Sequence, residues 1–441
     1  MPVLKKRTIG FPGRTELCRP ARRSNNPESR TFLCYFQVIM SAGFSELKIY
    51  EYEIPLRKEL KLQRGVLRER KGLILEHHGI YAEISPLPEF SRENLADAKN
   101  EIITFRNFIG SEHADACISD SGESGKRNEI LQYAMSALKP QCPSVQFAIW
   151  MLMHPLSGVS RKTAYDFILG NPSESLALFR KIVSRYEAER QCYGENVKSG
   201  LSVCGNSEAG NDCSGEYPER IIKLKIGLYP RNDELMMLKE MVKILEEHEK
   251  TSSVRIRLVL DANLSQTPES ISDYFRTTAD FIRYIEDPCQ DIAGLRRIRH
   301  DLPVGFDELF RSGQEGGMLP AMKALSSNDT LVVKPGLTDN IHELLNLYLN
   351  RNSMRNVPLN MITDDSTDSD NDNHPDNDYR KLNLPGLTLS SAFETAVGID
   401  YIERLSEFLG LNPPGTDTLK FFPDDSLTAK QIINRYSRKL H

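Results

Sequence analysis

The sequence predicts an α/β protein, a closed (β/α) barrel preceded by a smaller α+β capping domain. Three patterns carry that prediction. Near the N-terminus, strand-like alternation gives way to helical periodicity. After Tyr165, short apolar runs recur between helical stretches. Most of those runs end directly in a charged residue. Strands alternating with helices imply parallel β-α units, and about eight such units over this length close into a barrel.

Taken in order, residues 47–54 alternate apolar and polar side chains, as a half-buried strand does. Residues 72–76 and 79–84 read as two further strands, with His77 and His78 at the turn between them. Adjacent turn residues rarely converge on one ion, so no metal role is expected for this pair. Helical patterns follow over 92–108 and 145–154, which sets the capping domain at residues 45–160. The barrel is expected over 161–410. Its apolar runs lie at 167–169, 221–226, 256–260, 281–285, 304–306, 331–333 and 387–389, with a final strand near Thr418 and Leu419. Residues 411–441 are expected to complete the barrel and pack on the cap.

Two stretches interrupt the pattern. Residues 193–217, rich in Gly, Ser, Asn and Cys, read as a long loop. Residues 364–378 are almost wholly Asp, Asn and Ser and read as a disordered insertion. Counting twelve positions from Asp368 to the place of a calcium loop's bidentate Glu reaches Tyr379, so no calcium loop is expected. Gly122 through Lys126 imitates a phosphate loop, but Asp120 stands where its first glycine belongs and Arg127 follows the lysine. Residues 1–44 form a basic extension, expected to be disordered. They lack the apolar core of a secretory signal, and Met40 is read as the true start in preference to an organelle-targeting peptide.

Composition narrows the function. With 39% hydrophobic and 27% charged residues the mixture is that of a soluble globular protein. A net charge of −5 argues against nucleic acid as a partner, and no apolar run is long enough to span a membrane. The eight cysteines form no CxxC pair. Cys192, Cys204 and Cys213 lie near each other without a fourth zinc ligand, so a reducing cytoplasm is expected.

The chemistry lies at the ends of the barrel runs. In order they finish in Lys223-Leu224-Lys225, Asp261-Ala262-Asn263, Glu286-Asp287-Pro288, Asp307-Glu308 and Lys334-Pro335. The C-terminal strand ends of a (β/α) barrel surround one site, so these residues should converge. Asp261, Glu286 and Asp307 are oxygen donors suited to a hard divalent cation, here magnesium. Crowded without a cation, they would repel and their pKa values would rise. Lysines flank them on either side. A lysine near a cation and away from bulk water should titrate low enough to act as a base. Removing the α-proton of a metal-bound carboxylate gives an enediolate whose charge the cation stabilises. The expected partner is therefore a small-molecule carboxylate substrate.

This series of strand ends resembles the enolase superfamily, muconate-lactonising branch. Finer text resembles the o-succinylbenzoate synthase family: Ala82 through Pro88 followed by Phe90-Ser91, Pro143-Ser144-Val145, Lys225 through Tyr229, Glu286 through Cys289, Lys334 through Thr338, and Ser390 through Glu394. The resemblance spans about residues 47 to 420 apart from the insertions. It implies a barrel of enolase type and a magnesium-dependent lyase of menaquinone biosynthesis. That lyase dehydrates 2-succinyl-6-hydroxy-2,4-cyclohexadiene-1-carboxylate to o-succinylbenzoate. It also implies roles. Lys225 would take the α-proton and return a proton to the departing hydroxyl. Lys334 would stay protonated over the opposite face. Lys223 would orient Lys225, and Asp261, Glu286 and Asp307 would hold magnesium. Asn263, Ser390 and Ser391 would contact substrate, and a cap loop near Arg64 to Gly72 would close over it. The text departs from the family where Leu264-Ser265-Gln266 follow Asn263, where Val259 and not Arg precedes Asp261 by two, and where Leu309 replaces a Ser. Two rival readings are an N-succinylamino-acid racemase or dipeptide epimerase on the same site, and a catalytically degenerate binding member.

Overall fold

The cap begins with a long antiparallel hairpin. Strands β1 (Lys48–Leu62) and β2 (Gly65–His77) pair from Lys48↔Glu76 to Leu62↔Gly65, with a register shift between Pro55 and Leu60. His78 and Gly79 adopt φ of 50° and 76°, and these two left-handed residues form the tight turn into β3 (Ile80–Ile84). The molecule is seen in a computed structural model that describes residues 47–62, 65–110, 123–156, 165–198, 219–252, 254–312, 322, 325–355, 384–424 and 427–440. The basic extension up to residue 44, most of the 193–217 stretch and all of 364–378 lie outside the described residues. The segment from Arg64 to Gly72, expected as a mobile loop, is strand from Gly65 onward. Leu67 and Arg70 in it are buried and Arg68 and Lys71 are exposed, a spacing of three that breaks the alternation where the hairpin register shifts.

Three helices back the cap sheet: α1 (Leu95–Ile109), α2 (Glu123–Leu138) and α3 (Pro143–Met153). Helix α1 starts where Asn94 and Asp97 form a capping box, each side chain taking the other's backbone N–H. Helix α2 absorbs the phosphate-loop imitation, since Gly125 and Lys126 lie within it. Every residue of α3 is buried. A helix apolar on all sides belongs in the interior, and α3 packs against β3, α2 and the turn at Pro335–Leu337.

The second layer is the barrel. Its chain order is β4 (Tyr165–Ile168), α4 (Pro172–Lys198), β5 (Arg220–Lys225), α5 (Arg231–Thr251), β6 (Ile256–Asp261), α6 (Pro268–Thr278), β7 (Ile282–Glu286), α7 (Ile292–Ile298), β8 (Val304–Phe306), α8 (Glu308–Ser312), β9 (Thr330–Val333), α9 (Ile341–Arg355), β10 (Gly386–Leu389) and α10 (Ala396–Phe408). The strands form one parallel sheet in the order β10-β9-β8-β7-β6-β5-β4. Helix α4 runs to Lys198, six residues into the stretch expected to be loop. Gly194 is tolerated inside the helix at a cost of about 1 kcal/mol. The inward positions Tyr165, Ile221, Val259, Tyr284 and Val332 fill the barrel.

The expected eighth strand is not a strand. Residues Leu419–Phe421 form a 3-10 turn, preceded by Pro413 and Pro414, which have no N–H for a ladder. Ser390 bridges to Gly415. On the other side, Phe167 donates its N–H to Asp417 Oδ2 at 3.0 Å, and Lys420 Nζ donates to the Phe167 carbonyl at 3.0 Å. An acid and a lysine thus replace the carbonyl and N–H of a missing strand along the free edge of β4. The chain ends in α11 (Ala429–Tyr436) and β11 (Ser437–Leu440), which adds to the cap sheet beside β1.

Cap and barrel meet through buried charge. Arg70 is fully buried and gives its N–H groups to the carbonyls of Ser85, Pro86, Ala392 and Phe393, the first pair in the cap and the second in the loop after β10. Glu83 accepts from Tyr52 Oη at 2.6 Å, Thr395 Oγ1 at 2.7 Å and the Gly398 N–H at 2.9 Å, so a cap carboxylate caps the N-terminus of α10. Leu60, Leu67 and Leu87 from the cap pack here on Leu337 and Ala392 from the barrel loops. Replacing Arg70 by Met would leave those carbonyls without donors. Urea unfolding should then show a loss of about 3 kcal/mol or more; a loss below about 1 kcal/mol would mean water replaces the guanidinium without penalty.

Candidate active site

Strand register brings the acids and lysines together. Lys225 pairs with Asp261 across β5 and β6, and Asp261 pairs with Glu286 across β6 and β7. Neighbours in a parallel ladder project to the same side, and alternation puts Lys223 on the face of Lys225. Asp307 and Lys334 directly follow β8 and β9.

The geometry is one of interleaved opposite charges. Lys223 Nζ lies 2.7 Å from each oxygen of Glu286 and 3.0 Å from Asp261 Oδ2. Lys225 Nζ lies 3.1 Å from Asp261 Oδ1. Lys334 Nζ donates to Asp307 Oδ2, whose other oxygen accepts from Arg311 Nε at 3.2 Å. The three acids are almost inaccessible, at 5%, 2% and 3% exposure for Asp261, Glu286 and Asp307. Among the described residues, these ammonium groups lie between the carboxylates.

Their titration follows from that arrangement. Burial works to raise Asp261, but Lys223 and Lys225 outweigh it and hold the carboxyl down at about 2. Asp307 is likewise lowered, with Lys334 and Arg311 overcoming burial. Glu286 goes the other way. Burial raises it, and Asp261 and Asp307 add to the rise beyond what Lys223 offsets. Burial also acts to lower Lys223, yet Asp261 and Glu286 hold its ammonium well above the ordinary lysine value. The depressed lysine expected beside a bound cation is a different state: here the partners of Lys223 are anions at contact distance.

The donor set fits a hard divalent cation. Asp261, Glu286 and Asp307 offer only oxygens, are shielded from water, and include one carboxyl that its neighbours push toward protonation. Among the described residues no group of three His, Cys, Asp or Glu side chains is already arranged to hold a metal. Ammonium groups stand between the carboxylates instead.

The other expected residues are placed as follows. Asn263 lies just beyond β6 at φ 45°, and Leu264 follows at φ 60°. Ser390 Oγ donates to the Gly415 carbonyl at 3.3 Å, and Ser391 Oγ shares a 2.6 Å hydrogen bond with Thr418 Oγ1. Both serines are thus tied to the segment that closes the ring. Arg257 pairs with Glu219 and Glu249 and donates to the Asp280 carbonyl at the far end of β6, so it does not stand in for the Arg absent at Val259.

Sequence reasoning missed two contributors. Asp287 accepts the N–H groups of Asp307, Glu308 and Leu309, fixing the turn that presents Asp307. Burial, with Asp307 and Glu286 beside it, pushes it up to about 7. Its signal was its place directly after Glu286. Arg311 lies one helical turn beyond Asp307, a spacing that could have been read as an ion pair.

A capped parallel barrel with lysines and acids at the C-terminal strand ends resembles the arrangement implied by the strand-end motifs, which are similar to those of the enolase superfamily. Within that class the chain resembles the o-succinylbenzoate synthases, as its motifs had indicated. Residues 44–121 match the family model described as MenC, N-terminal domain. The chain is 24% identical to o-succinylbenzoate synthase of Aliivibrio salmonicida over 391 residues, covering 85% of this chain and 90% of that one. It is 21% identical to the Pasteurella multocida synthase, covering 85% and 89%. Among solved structures, it superposes on o-succinylbenzoate synthase of Thermosynechococcus elongatus, solved with magnesium in its active site. That match has a TM-score of 0.52 at 18% identity, over 87% of this chain and 95% of that one. A dipeptide epimerase from Enterococcus faecalis gives a TM-score of 0.53 at 16% identity, over 88% and 95%. The capped barrel is thus shared by enzymes of both kinds.

Behind the Ser390–Ser391 wall, Glu394 accepts the Ala392 N–H at 2.6 Å, and burial followed by the charge of Glu83 pushes it up to about 7. A carboxyl raised in the folded state contributes stability in full below its ordinary value near 4.5, and that contribution is lost as pH rises through about 7. Glu394→Gln is neutral throughout. Its stability relative to the unaltered protein should rise between pH 5 and pH 8 by about 1–3 kcal/mol. Paired urea titrations at the two pH values measure this; a difference independent of pH contradicts it.

Proposed function

We propose that this chain is an o-succinylbenzoate synthase, dehydrating 2-succinyl-6-hydroxy-2,4-cyclohexadiene-1-carboxylate to o-succinylbenzoate. One observation carries the reading. Lys225 beside Asp261 and Lys334 beside Asp307 flank Glu286, in that order, on consecutive strand ends. A single carboxylate substrate over Glu286 would be within reach of both lysines. The similarity to curated synthases over most of the chain supports the same substrate.

Asp261, Glu286 and Asp307 would hold magnesium. Bound there, the ion supplies positive charge beside the substrate carboxylate and so acidifies its α-proton. Lys225 Nζ takes that proton. The negative charge that develops on the substrate faces the Lys334 ammonium, which also donates to Asp307. Lys225, now protonated, gives its proton to the C6 hydroxyl, which departs as water on the same side and leaves the ring aromatic. Before the cation binds, Lys223 helps to orient Lys225 through their shared partner Asp261. Asn263, Ser390 and Ser391 bind the remainder of the substrate, and the apolar junction of Leu60, Leu67 and Leu337 excludes water.

The wild-type protein with magnesium should aromatise the cyclohexadiene substrate, followed by absorbance of the product, and chelation should abolish turnover. Lys225→Ala and Lys334→Ala should each reduce kcat by about 100-fold or more. Undiminished turnover in Lys225→Ala would remove that lysine from its role. Racemisation of an N-succinylamino acid or a dipeptide, without aromatisation, would favour the epimerase reading, in which the two lysines act as opposed bases.

A further inference from the structure

Beneath the charged layer, the barrel interior holds polar atoms that the proposed reaction does not use. Tyr284 lies two residues before Glu286 on β7 and points into the barrel among Tyr165, Val259 and Val332. Its ring occupies space left by Gly305 on β8: a Cβ there would stand 2.5 and 2.7 Å from Tyr284 Cδ2 and Cε2. Tyr284 interacts electrostatically with Glu286 and Lys223, and its hydroxyl neighbours are those of Tyr165 and Thr388. Tyr284 Oη and Thr388 Oγ1 are both buried and interact with each other, but neither makes a hydrogen bond of good geometry. Buried hydroxyls without well-placed partners are costly, and two side by side call for an occupant.

Lys223 directs its ammonium elsewhere, to both Glu286 oxygens at 2.7 Å and to Asp261 Oδ2 at 3.0 Å. A divalent cation bound by these oxygens sits about 2.1 Å from them. An ammonium cannot remain at hydrogen-bond distance from the same atoms, for want of room and because like charges would be nearly in contact. A lysine can withdraw, since its four-carbon stem is flexible and its three donors rotate freely. It then needs acceptors inside the barrel.

We propose that Tyr284 and Thr388 are positioning residues, forming a hydroxyl shelf that receives the Lys223 ammonium when a divalent cation takes Asp261 and Glu286. Lys223 is thereby a built-in counter-cation with two stations. In one it neutralises the carboxylates and competes with the metal. In the other it rests on the shelf, where Tyr284 Oη and Thr388 Oγ1 gain a well-placed donor. The inference rests on the reading that Asp261, Glu286 and Asp307 hold magnesium. Gly305 belongs to the device, because any side chain there would push the Tyr284 ring away.

Magnesium binding measured by calorimetry, beside thermal melts of the metal-free protein, tests the shelf separately from turnover. Tyr284→Phe and Thr388→Val should each weaken magnesium binding by about tenfold, while the metal-free melting temperature does not fall. Lys223→Met should bind magnesium more tightly than the unaltered protein. Adding Tyr284→Phe to Lys223→Met should cause no further change, a coupling that a merely structural tyrosine would not show. Unchanged affinity in both hydroxyl variants, or a tenfold loss that persists without Lys223, overturns the proposal. Should Lys223→Met not fold, a crystal structure with magnesium decides: Lys223 Nζ at about 3 Å from Tyr284 Oη supports the shelf, and Lys223 still on Glu286 overturns it. If the unaltered protein takes up no magnesium, the metal reading itself falls. If it binds magnesium without the coupling, only the shelf does.

Discussion

The site depends on one constraint, the in-register pairing of β5, β6 and β7. Lys225, Asp261 and Glu286 are consecutive rungs of one parallel ladder. Because side chains alternate across a strand, a slip of one residue in any pair would turn an acid or a lysine out of the barrel. Register is in turn held by the apolar residues beneath, Ile221, Val259 and Tyr284, which are comfortable only facing inward. Hydrophobic packing thus positions a group of buried charges that would repel if brought together alone. The lysines neutralise the acids, and Asp261 and Glu286 keep Lys223 charged in a place where burial works against charge.

A second group of buried charges performs a different task. Arg70, Glu83 and Glu394 lie where cap meets barrel and take no part in chemistry. Their hydrogen bonds run mostly to backbone: carbonyls on both sides of the junction for Arg70, and the first N–H groups of α10 for Glu83. Such bonds demand fixed direction, whereas apolar contact tolerates sliding. The Ser390–Ser391 wall is therefore located relative to the cap by directional bonds, and the apolar cluster around Leu337 fills the space between.

Much of this was legible in the sequence. Barrel strands are short apolar runs, and each functional side chain directly follows one, so the order of charged residues was readable even where strand ends were uncertain by a residue. The cap hairpin was found but read too short. Its distal half is rich in Lys, Arg and Glu, and the alternation is weaker there. Helix α2 was missed because its apolar residues mark no single face. The closing strand was expected near Thr418 because a barrel needs one; the paired prolines before it, and the side-chain clamp from Asp417 and Lys420, are tertiary solutions that no periodicity announces. Arg311, Asp287 and the double contact of Lys223 with Asp261 and Glu286 depend on distances between strands, which a linear text does not contain. The absent Arg at Val259 was visible, but that Tyr284 and Tyr165 share the interior with that valine was not.

The last strand of the chain has a consequence for biogenesis. β11 pairs with β1, matching Ile49 to Leu440, so the first and last described strands are adjacent in one sheet. During synthesis the outer edge of β1 has no mate until β11 has been made. That edge stays open to intermolecular pairing throughout translation, the condition under which nascent chains aggregate. Completion of the cap must then await the synthesis of β11, and chain closure of such high contact order is slow. A truncation of only the final few residues would consequently be felt at the N-terminal sheet, far away in the text and adjacent in space.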